Sequence, residues 1–165
     1  DDLLVYHPLV VQKIIRITAC HPYFTQYICA ELVNFARKAQ VNLIQLHDLD
    51  LVVRDVLQDA TGNIENSIYN YLGDGEKLVL AALANVTDDV RLFVPLHDIV
   101  SVLERRHLSV PREEIMQATN ALIERDLITE MRIGQQLRYA FRMGLVRMWL
   151  RQNEMLLRLA EEREI

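Results

Sequence analysis

The chain has 165 residues, of which 51% are hydrophobic and 25% are charged. Five glycines and four prolines exclude a collagen-like or low-complexity chain, and the apolar content excludes intrinsic disorder. The formal net charge of −5 argues against a wholly basic nucleic-acid-binding protein. Two cysteines are too few for a disulfide framework or a zinc cluster, which favours a reducing, cytoplasmic location. No apolar run reaches the roughly 20 residues that a membrane-spanning helix needs, so no membrane contact is expected.

Motifs for catalysis are absent from the sequence. None of the glycines is followed by lysine, so the phosphate-binding motif G-x-x-x-x-G-K-[ST] does not occur. H-E-x-x-H and G-x-S-x-G are also missing, and the five histidines are scattered without ligand spacing. We therefore predict no enzyme activity, no catalytic residue and no metal site. Because the chain begins at Asp1 and enters an apolar stretch directly, we expect it to be a segment of a larger protein.

Helical periodicity dominates residues 1–72. Pro8 and Pro22 each begin an amphipathic pattern, since proline in the first helical position loses no hydrogen bond. The first of these patterns has an apolar face of Val11, Ile14 and Ile15, and two further helices follow over 49–56 and 64–72. No stretch has the alternation typical of a strand. The sequence predicts a small helical bundle over 1–72.

The pattern changes after Gly73-Asp74-Gly75. The predicted elements are a helix over 76–86, an extended run over 91–94, helices that begin at Pro95 and Pro111, and β-like segments over 127–133 and 137–142. This order of helix, short strand, helix, helix and hairpin is that of a winged helix-turn-helix domain, predicted over 73–148. A single amphipathic helix through Leu145, Trp149 and Leu159 ends the chain, with 149–165 as a C-terminal tail. The expected fold class is mainly α.

A winged helix raises the question of DNA binding. Its second helix, over 111–126, would enter the major groove, but Glu113 and Glu124 on the exposed face would repel a polyanion. The hairpin is more favourable, because no acidic residue lies between Glu130 and Glu154. The candidate contacts with a nucleic acid or a protein partner are Gln117, Asn120, Arg132, Arg138 and Arg142. In the alternative interpretation the aromatic residues of the hairpin enter the core and its arginines are merely solvated.

Three features resemble the C-terminal portion of P-loop ATPases of the STAND and archaeal AAA+-like type. They are Thr18-Ala19-Cys20-His21-Pro22-Tyr23-Phe24, the winged-helix order, and Tyr139-Ala140-Phe141-Arg142 running into Arg147-Met148-Trp149-Leu150. The resemblance covers about residues 8–152. In that family a helical lid follows the nucleotide-binding core, and a winged helix follows the lid.

The resemblance implies a role for His21 and Pro22. They match the family's G-G-H-P or G-x-P motif, whose proline packs near the adenine and reports the nucleotide state. Ala19-Cys20 stands where glycines are usual. In the alternative, Pro22 only begins a helix that His21 caps. The resemblance also implies that this chain holds no cofactor, and that ATP or ADP binds an upstream ATPase domain of the same polypeptide, which would be its partner.

Three functional hypotheses follow. The first is a non-catalytic regulatory module that couples the nucleotide state to docking of a domain or partner, through a shift about the joint at 72–75. The second is a DNA-binding regulator that uses the arginine-rich stretch 132–151. The third is an oligomerisation domain in which the C-terminal helix and Trp149 form the contacts. Apolar surface that the N-terminal helices leave uncovered also predicts a homo-oligomer.

Overall fold

The computed structural model describes residues 3–59, 61–86 and 92–163. As predicted, the chain is mainly helical with small sheets. It divides into two compact units, Asp1–Gly62 and Asn63–Ile165. This division lies earlier than the expected boundary at residue 72, because helical periodicity marks an apolar face without indicating which core covers it.

The first unit contains three helices and a short pair of strands. In chain order these are β1 (Val5–Tyr6), α1 (Pro8–Thr18), α2 (Pro22–Ala39), β2 (Leu43–Ile44) and α3 (Leu46–Asp59). The strands pair in parallel, with Val5 opposite Leu43 and Tyr6 opposite Ile44. The expectation that the first 72 residues contain no strand was therefore wrong. Two residues are too few for an alternating pattern to be recognised in the sequence.

The helix starts in the first unit follow local rules of capping. Pro8 and Pro22 occupy the first turn of α1 and α2, as predicted. His7 caps α1, since its Nδ1 accepts the main-chain N–H of Leu9 at 3.2 Å. Asp48 caps α3, since its Oδ2 accepts the N–H of Gln45 at 2.8 Å.

The buried face of α1 differs from the predicted one. Val10, Ile14 and Ile17 are buried, whereas Val11 and Ile15 are exposed. Apolar residues surround this helix on most sides, so several stripes fit the sequence equally well. The exposed pair leaves an apolar strip on the outside of the first unit.

The second unit is built around one central helix. After α4 (Thr61–Ser67) and a 3-10 turn (Tyr69–Tyr71), its elements are α5 (Asp74–Val86), β3 (Val94–Pro95), α6 (Leu96–Arg105), α7 (Arg112–Glu124), β4 (Ile128–Ile133), β5 (Gln136–Phe141), α8 (Gly144–Gln152) and α9 (Met155–Arg163). The central helix is α5, which packs against α6, α7, α8 and α9. Its residues 78–84 are all buried.

Three short strands form the antiparallel sheet of the second unit, in the order β3-β5-β4. Ile128 lies opposite Phe141 and Ile133 opposite Gln136, so β4 and β5 form the predicted hairpin. Gly134 begins its two-residue turn with φ of +63°, a conformation that favours glycine. Within the described residues β4 is therefore an edge strand of this sheet.

The last helix is two helices rather than the single one expected. α8 ends at Gln152 and α9 begins at Met155, and Glu154 between them has φ of +49°. Asn153 closes α8, because both its main-chain N–H and its side-chain amide donate to the carbonyl of Trp149. The apolar spacing continues in phase from Trp149 to Leu156, so periodicity gives no signal of the break.

Candidate functional site

The turn between α1 and α2 holds two consecutive residues in the left-handed conformation. Ala19 has φ of 49° and Cys20 has φ of 58°. The left-handed region costs an L-residue about 1–2 kcal/mol, because its Cβ comes close to the following carbonyl oxygen. Glycine has no Cβ and adopts this backbone readily. The turn is therefore a place where the backbone itself favours glycine.

Hydrogen bonds hold this turn from the inside. Thr18 is fully buried, and its hydroxyl donates to the carbonyl of Ile14 at 2.8 Å. The hydroxyl of Thr25 donates to the Thr18 Oγ1 at 3.0 Å. The main-chain N–H of His21 donates to the Thr18 carbonyl at 2.9 Å. Thr18 thus ties the end of α1 to the start of α2, which stabilises the strained residues between them.

His21 and Pro22 lie on the surface of this turn. Pro22 begins α2, which agrees with both of the interpretations drawn from the sequence. His21 occupies the cap position, but its side chain makes no capping hydrogen bond. The imidazole instead packs against Phe24, with ring centroids 5.1 Å apart. Both residues are exposed, so they present an imidazole and a pyrrolidine ring to solvent.

Two tyrosines extend this surface along α2, and no role was predicted for either from the sequence. Tyr23 and Tyr27 stack with ring centroids 6.1 Å apart and an interplanar angle of 12°. Their spacing of four residues is the signal that would have found them, since such residues are neighbours on a helix. With His21 and Pro22 they form what we call the aromatic turn surface. Its chemistry suits packing against a flat ring or an apolar segment, because it presents ring faces and carries no carboxylate.

The outer face of α7, in the second unit, has the residues predicted for it. Gln117 and Asn120 are exposed, and so are Glu113 and Glu124. The two amides that can read adenine are therefore flanked by two carboxylates. This surface is poorly suited to a polyanion.

The arginines near the hairpin do not form one continuous basic surface. Arg132 is exposed, but Arg138 is half-buried and its Nε, buried, has no hydrogen-bond partner among the described residues. The Nη1 of Arg142 lies 2.9 Å from the Asp126 Oδ1. Arg147 is 7% exposed and belongs to the interior.

Tyr139 and Phe141, which alternate with these arginines, are both buried. Burial, together with the charge of Glu130, raises the pKa of Tyr139 above its usual value. The aromatic residues of β5 thus serve the core, as the alternative interpretation of the hairpin expected.

A buried carboxylate at the start of α5 is the main charge that sequence reasoning missed. The Glu76 Oε2 accepts the main-chain N–H of Gly73 at 2.6 Å, and its Oε1 lies 3.0 Å from the Arg125 Nε. Glutamate three residues after a helix cap is half of a capping box, so the cap itself had a sequence signal. The ion pair between Glu76 and Arg125 had no such signal in the sequence. It connects the start of α5 to the end of α7 and has a structural role.

Trp149 of α8 forms a core pair with Tyr69 of the 3-10 turn. Trp149 is 1% exposed and packs on Tyr69, with ring centroids 5.1 Å apart. Burial, followed by the charge of Glu162, raises the pKa of Tyr69 to about 12. In the folded unit the Trp149 side chain is therefore not on the surface, where the oligomerisation hypothesis had placed it.

The described residues offer no metal cluster and no membrane-spanning helix, and the chain has no detected relative. Across the described ranges, histidine, cysteine and carboxylate side chains do not gather in threes as a metal site would need. None of the helices described has the length and apolar character to cross a membrane. No family model, curated protein or solved structure matches the chain.

Proposed function

We propose that this chain is the helical lid and winged-helix region of a P-loop ATPase of the STAND or AAA+-like type. It acts as a regulatory module without chemistry of its own and couples the nucleotide state of an upstream ATPase domain to docking of a domain or partner. The observation that carries the proposal is the pair of left-handed residues, Ala19 and Cys20, directly before the exposed His21-Pro22.

The backbone of the turn supports the match to the family motif. Glycines are usual in that family at the positions of Ala19 and Cys20, and a positive φ at both positions is a physical reason for glycine there. This chain keeps that backbone without the glycines. His21 and Pro22 would then lie where the motif contacts the adenine, with Tyr23 beside them.

Docking of the first unit is supported by its exposed apolar side chains. Val11 and Ile15 lie one turn apart on the outer face of α1 and are not covered within the first unit. Exposed apolar surface of this kind marks contact sites with other domains or chains. In the proposed parent protein this strip would pack against the ATPase domain.

The second unit supports the winged-helix part of the proposal. Its order α5, β3, α6, α7, β4 and β5, with the sheet arranged β3-β5-β4, is the order expected for a winged helix. DNA is the less favoured partner, since Glu113 and Glu124 lie on the outer face of α7 and Arg142 is paired with Asp126. We therefore assign the winged helix to docking on protein.

The test uses the full-length parent protein. A G-x-x-x-x-G-K-[ST] motif upstream of Asp1 is the first requirement. Amide hydrogen exchange of residues 18–26 should then differ between the nucleotide-free, ADP-bound and ATP-analogue-bound states. The double variant His21→Ala with Pro22→Ala should reduce this difference. Pro111→Ala, which changes another exposed proline at a helix start, should leave it intact.

Two outcomes would overturn the proposal. Equal exchange of residues 18–26 in all nucleotide states would remove the sensing role. Salt-dependent binding of duplex DNA at micromolar concentration, lost on Arg132→Glu with Arg138→Glu, would favour the DNA-binding alternative instead.

A further inference from the structure

The outer edge of β4 carries unpaired main-chain groups. Within residues 3–59, 61–86 and 92–163 no strand pairs with this edge. Unpaired edges attract other strands unless a proline, charged side chains, a bulge or a covering segment protects them. The sequence of β4, Ile-Thr-Glu-Met-Arg-Ile, has no proline, and its register with β5 is continuous from Ile128 to Ile133. Its two charges, Glu130 and Arg132, are of opposite sign, so they repel a strand of arbitrary charge but can complement each other in a second copy. We propose that this edge pairs antiparallel with β4 of a second copy of the chain, which gives a two-fold symmetric dimer.

The hydrogen bonds of the hairpin determine which residues face the open edge. The N–H of Arg142 donates to the carbonyl of Leu127 at 3.0 Å, so this carbonyl points toward β5. Because these directions alternate along an antiparallel strand, Thr129 and Met131 also point toward β5. The main-chain groups of Ile128, Glu130 and Arg132 therefore point outward. They supply the donors and acceptors for a second copy, and Glu130 and Arg132 are the two charged residues among them.

Among the registers that pair the charged residues with one another, the charges of Glu130 and Arg132 select one. Symmetric pairing of these residues can place Glu130 opposite Glu130, Arg132 opposite Arg132, or Glu130 opposite Arg132 of the second copy. The first two oppose like charges, which destabilise a cross-strand pair. The third forms two pairs of opposite charge and places the two-fold axis at Met131. Among the described residues neither Glu130 nor Arg132 has an ion-pair partner, so both are available for this pairing.

The other face of the strand fits the same register. Met131 and Ile133 are 44% and 49% exposed although both are apolar. With the axis at Met131, the two Met131 side chains meet across the interface, and each Ile133 lies opposite Thr129 of the other copy. The result is an apolar row on one face of the joined sheets and two charge pairs on the other. This inference does not depend on the proposed ATPase partner.

The first test is a charge-reversal cycle in the full 165-residue chain, followed by sedimentation equilibrium. The wild type should dimerise reversibly with rising concentration. Glu130→Arg and Arg132→Glu should each weaken association by about tenfold or more, because each places like charges opposite one another. The double variant Glu130→Arg with Arg132→Glu should restore association, since it only exchanges the two partners. Single reversals without effect, or a double reversal that fails to restore the dimer, would overturn the proposal.

The second test determines the register of the two β4 strands and leaves the charges of Glu130 and Arg132 unchanged. In a chain with Cys20→Ser and Cys29→Ser, Met131→Cys should form a disulfide-linked dimer on mild oxidation, because directly opposite Cβ atoms lie about 4.5–5.5 Å apart. Ile133→Cys is the matched control. Its two copies would be offset by four residues, or about 13 Å along the strand, and should not cross-link. A wild type that remains monomeric at all concentrations, or equal cross-linking at both positions, would refute the dimer.

Discussion

Replacement of Ala19 by glycine should stabilise the first unit. Ala19 has φ of 49° and ψ of 34°, and this backbone costs an L-residue about 1–2 kcal/mol. Glycine removes that cost but gives the unfolded chain more freedom, which is worth about 0.4–1 kcal/mol. We therefore expect Ala19→Gly to raise the free energy of unfolding of the first unit by about 0.5–1 kcal/mol.

The same substitution elsewhere in the unit supplies the control. Ala30 is exposed and lies within α2, where glycine is less favourable than alanine by about 1 kcal/mol. Ala30→Gly should therefore lower the free energy of unfolding by about that amount. The two positions differ chiefly in backbone conformation, left-handed at Ala19 and helical at Ala30, so the two alanine-to-glycine changes should have opposite signs.

Amide hydrogen exchange is the suitable assay, because the only tryptophan, Trp149, lies in the second unit and does not report on the first. Peptides from α1 and α2 should exchange more slowly in Ala19→Gly and faster in Ala30→Gly. If Ala19→Gly accelerated exchange as much as Ala30→Gly does, the left-handed strain assigned to the turn would be refuted.

Three further changes test the second unit and the caps. Because the pKa of Tyr69 is raised from 10.0 to about 12, the stability that this shift contributes is complete below pH 10 and lost by about pH 12. Urea unfolding should show a decline of up to about 3 kcal/mol over that range, and the decline should be smaller in Tyr69→Phe. If the free energy of unfolding of the wild type and of Tyr69→Phe fell equally between pH 10 and pH 12, this expectation would be contradicted. Glu76→Ala should lower the free energy of unfolding by about 1–2 kcal/mol, whereas Glu161→Ala, on the exposed face of α9, should change it by less than about 0.5 kcal/mol. Asp48→Ala should lower it by about 1 kcal/mol and Asp98→Ala by less than about 0.5 kcal/mol, and equal losses would argue against a cap at Asp48.

The sequence predicted the long elements well and the short ones poorly. Helices such as α2 and α6 repeat their apolar spacing over several turns and begin at or next to a proline, so pattern and cap agree. The strands β1 and β2 have two residues each and leave no pattern. The break at Glu154 depends on one left-handed residue between two helices whose apolar spacing is in phase. Short elements and breaks are determined by tertiary packing, which periodicity does not report.

The candidate sites show the same contrast between local features, which the sequence predicts, and tertiary contacts, which it does not. The motif around Pro22 was enough to predict the start of α2, because that feature is local in the chain. The left-handed backbone at Ala19 had no signal in the residue type itself, since alanine rarely adopts it. The pair formed by Glu76 and Arg125 joins residues 49 positions apart in the chain and follows only from the packing of α5 against α7. Sequence reasoning therefore predicted the local helix start at Pro22 but not the contacts that hold the turn or that join α5 to α7.

The chain contains one short repeat that distinguishes what the local sequence determines from what the surrounding contacts determine. Leu46-His47-Asp48-Leu49 and Leu96-His97-Asp98-Ile99 each begin a helix directly after, or one residue after, a two-residue strand. In both segments the fourth residue is fully buried, and the histidine Nε2 lies close to the neighbouring aspartate, at 2.9 and 3.1 Å. Three identical residues followed by a branched apolar residue thus produce the same local structure in two different units.

The two aspartates nevertheless have different structural roles, because the residue before each segment differs. Asp48 is 10% exposed at its side chain and accepts the N–H of Gln45 at 2.8 Å. At the position that corresponds to Gln45 stands Pro95, which has no N–H to donate. Asp98 therefore lacks that partner, and its side chain is 45% exposed. The local segment specifies where the helix begins, while the preceding residue decides whether the carboxylate caps it or faces solvent. A motif should accordingly be carried from one position to another only together with the main-chain groups that its side chains bind, and this condition applies equally to His21-Pro22 and the left-handed turn before it.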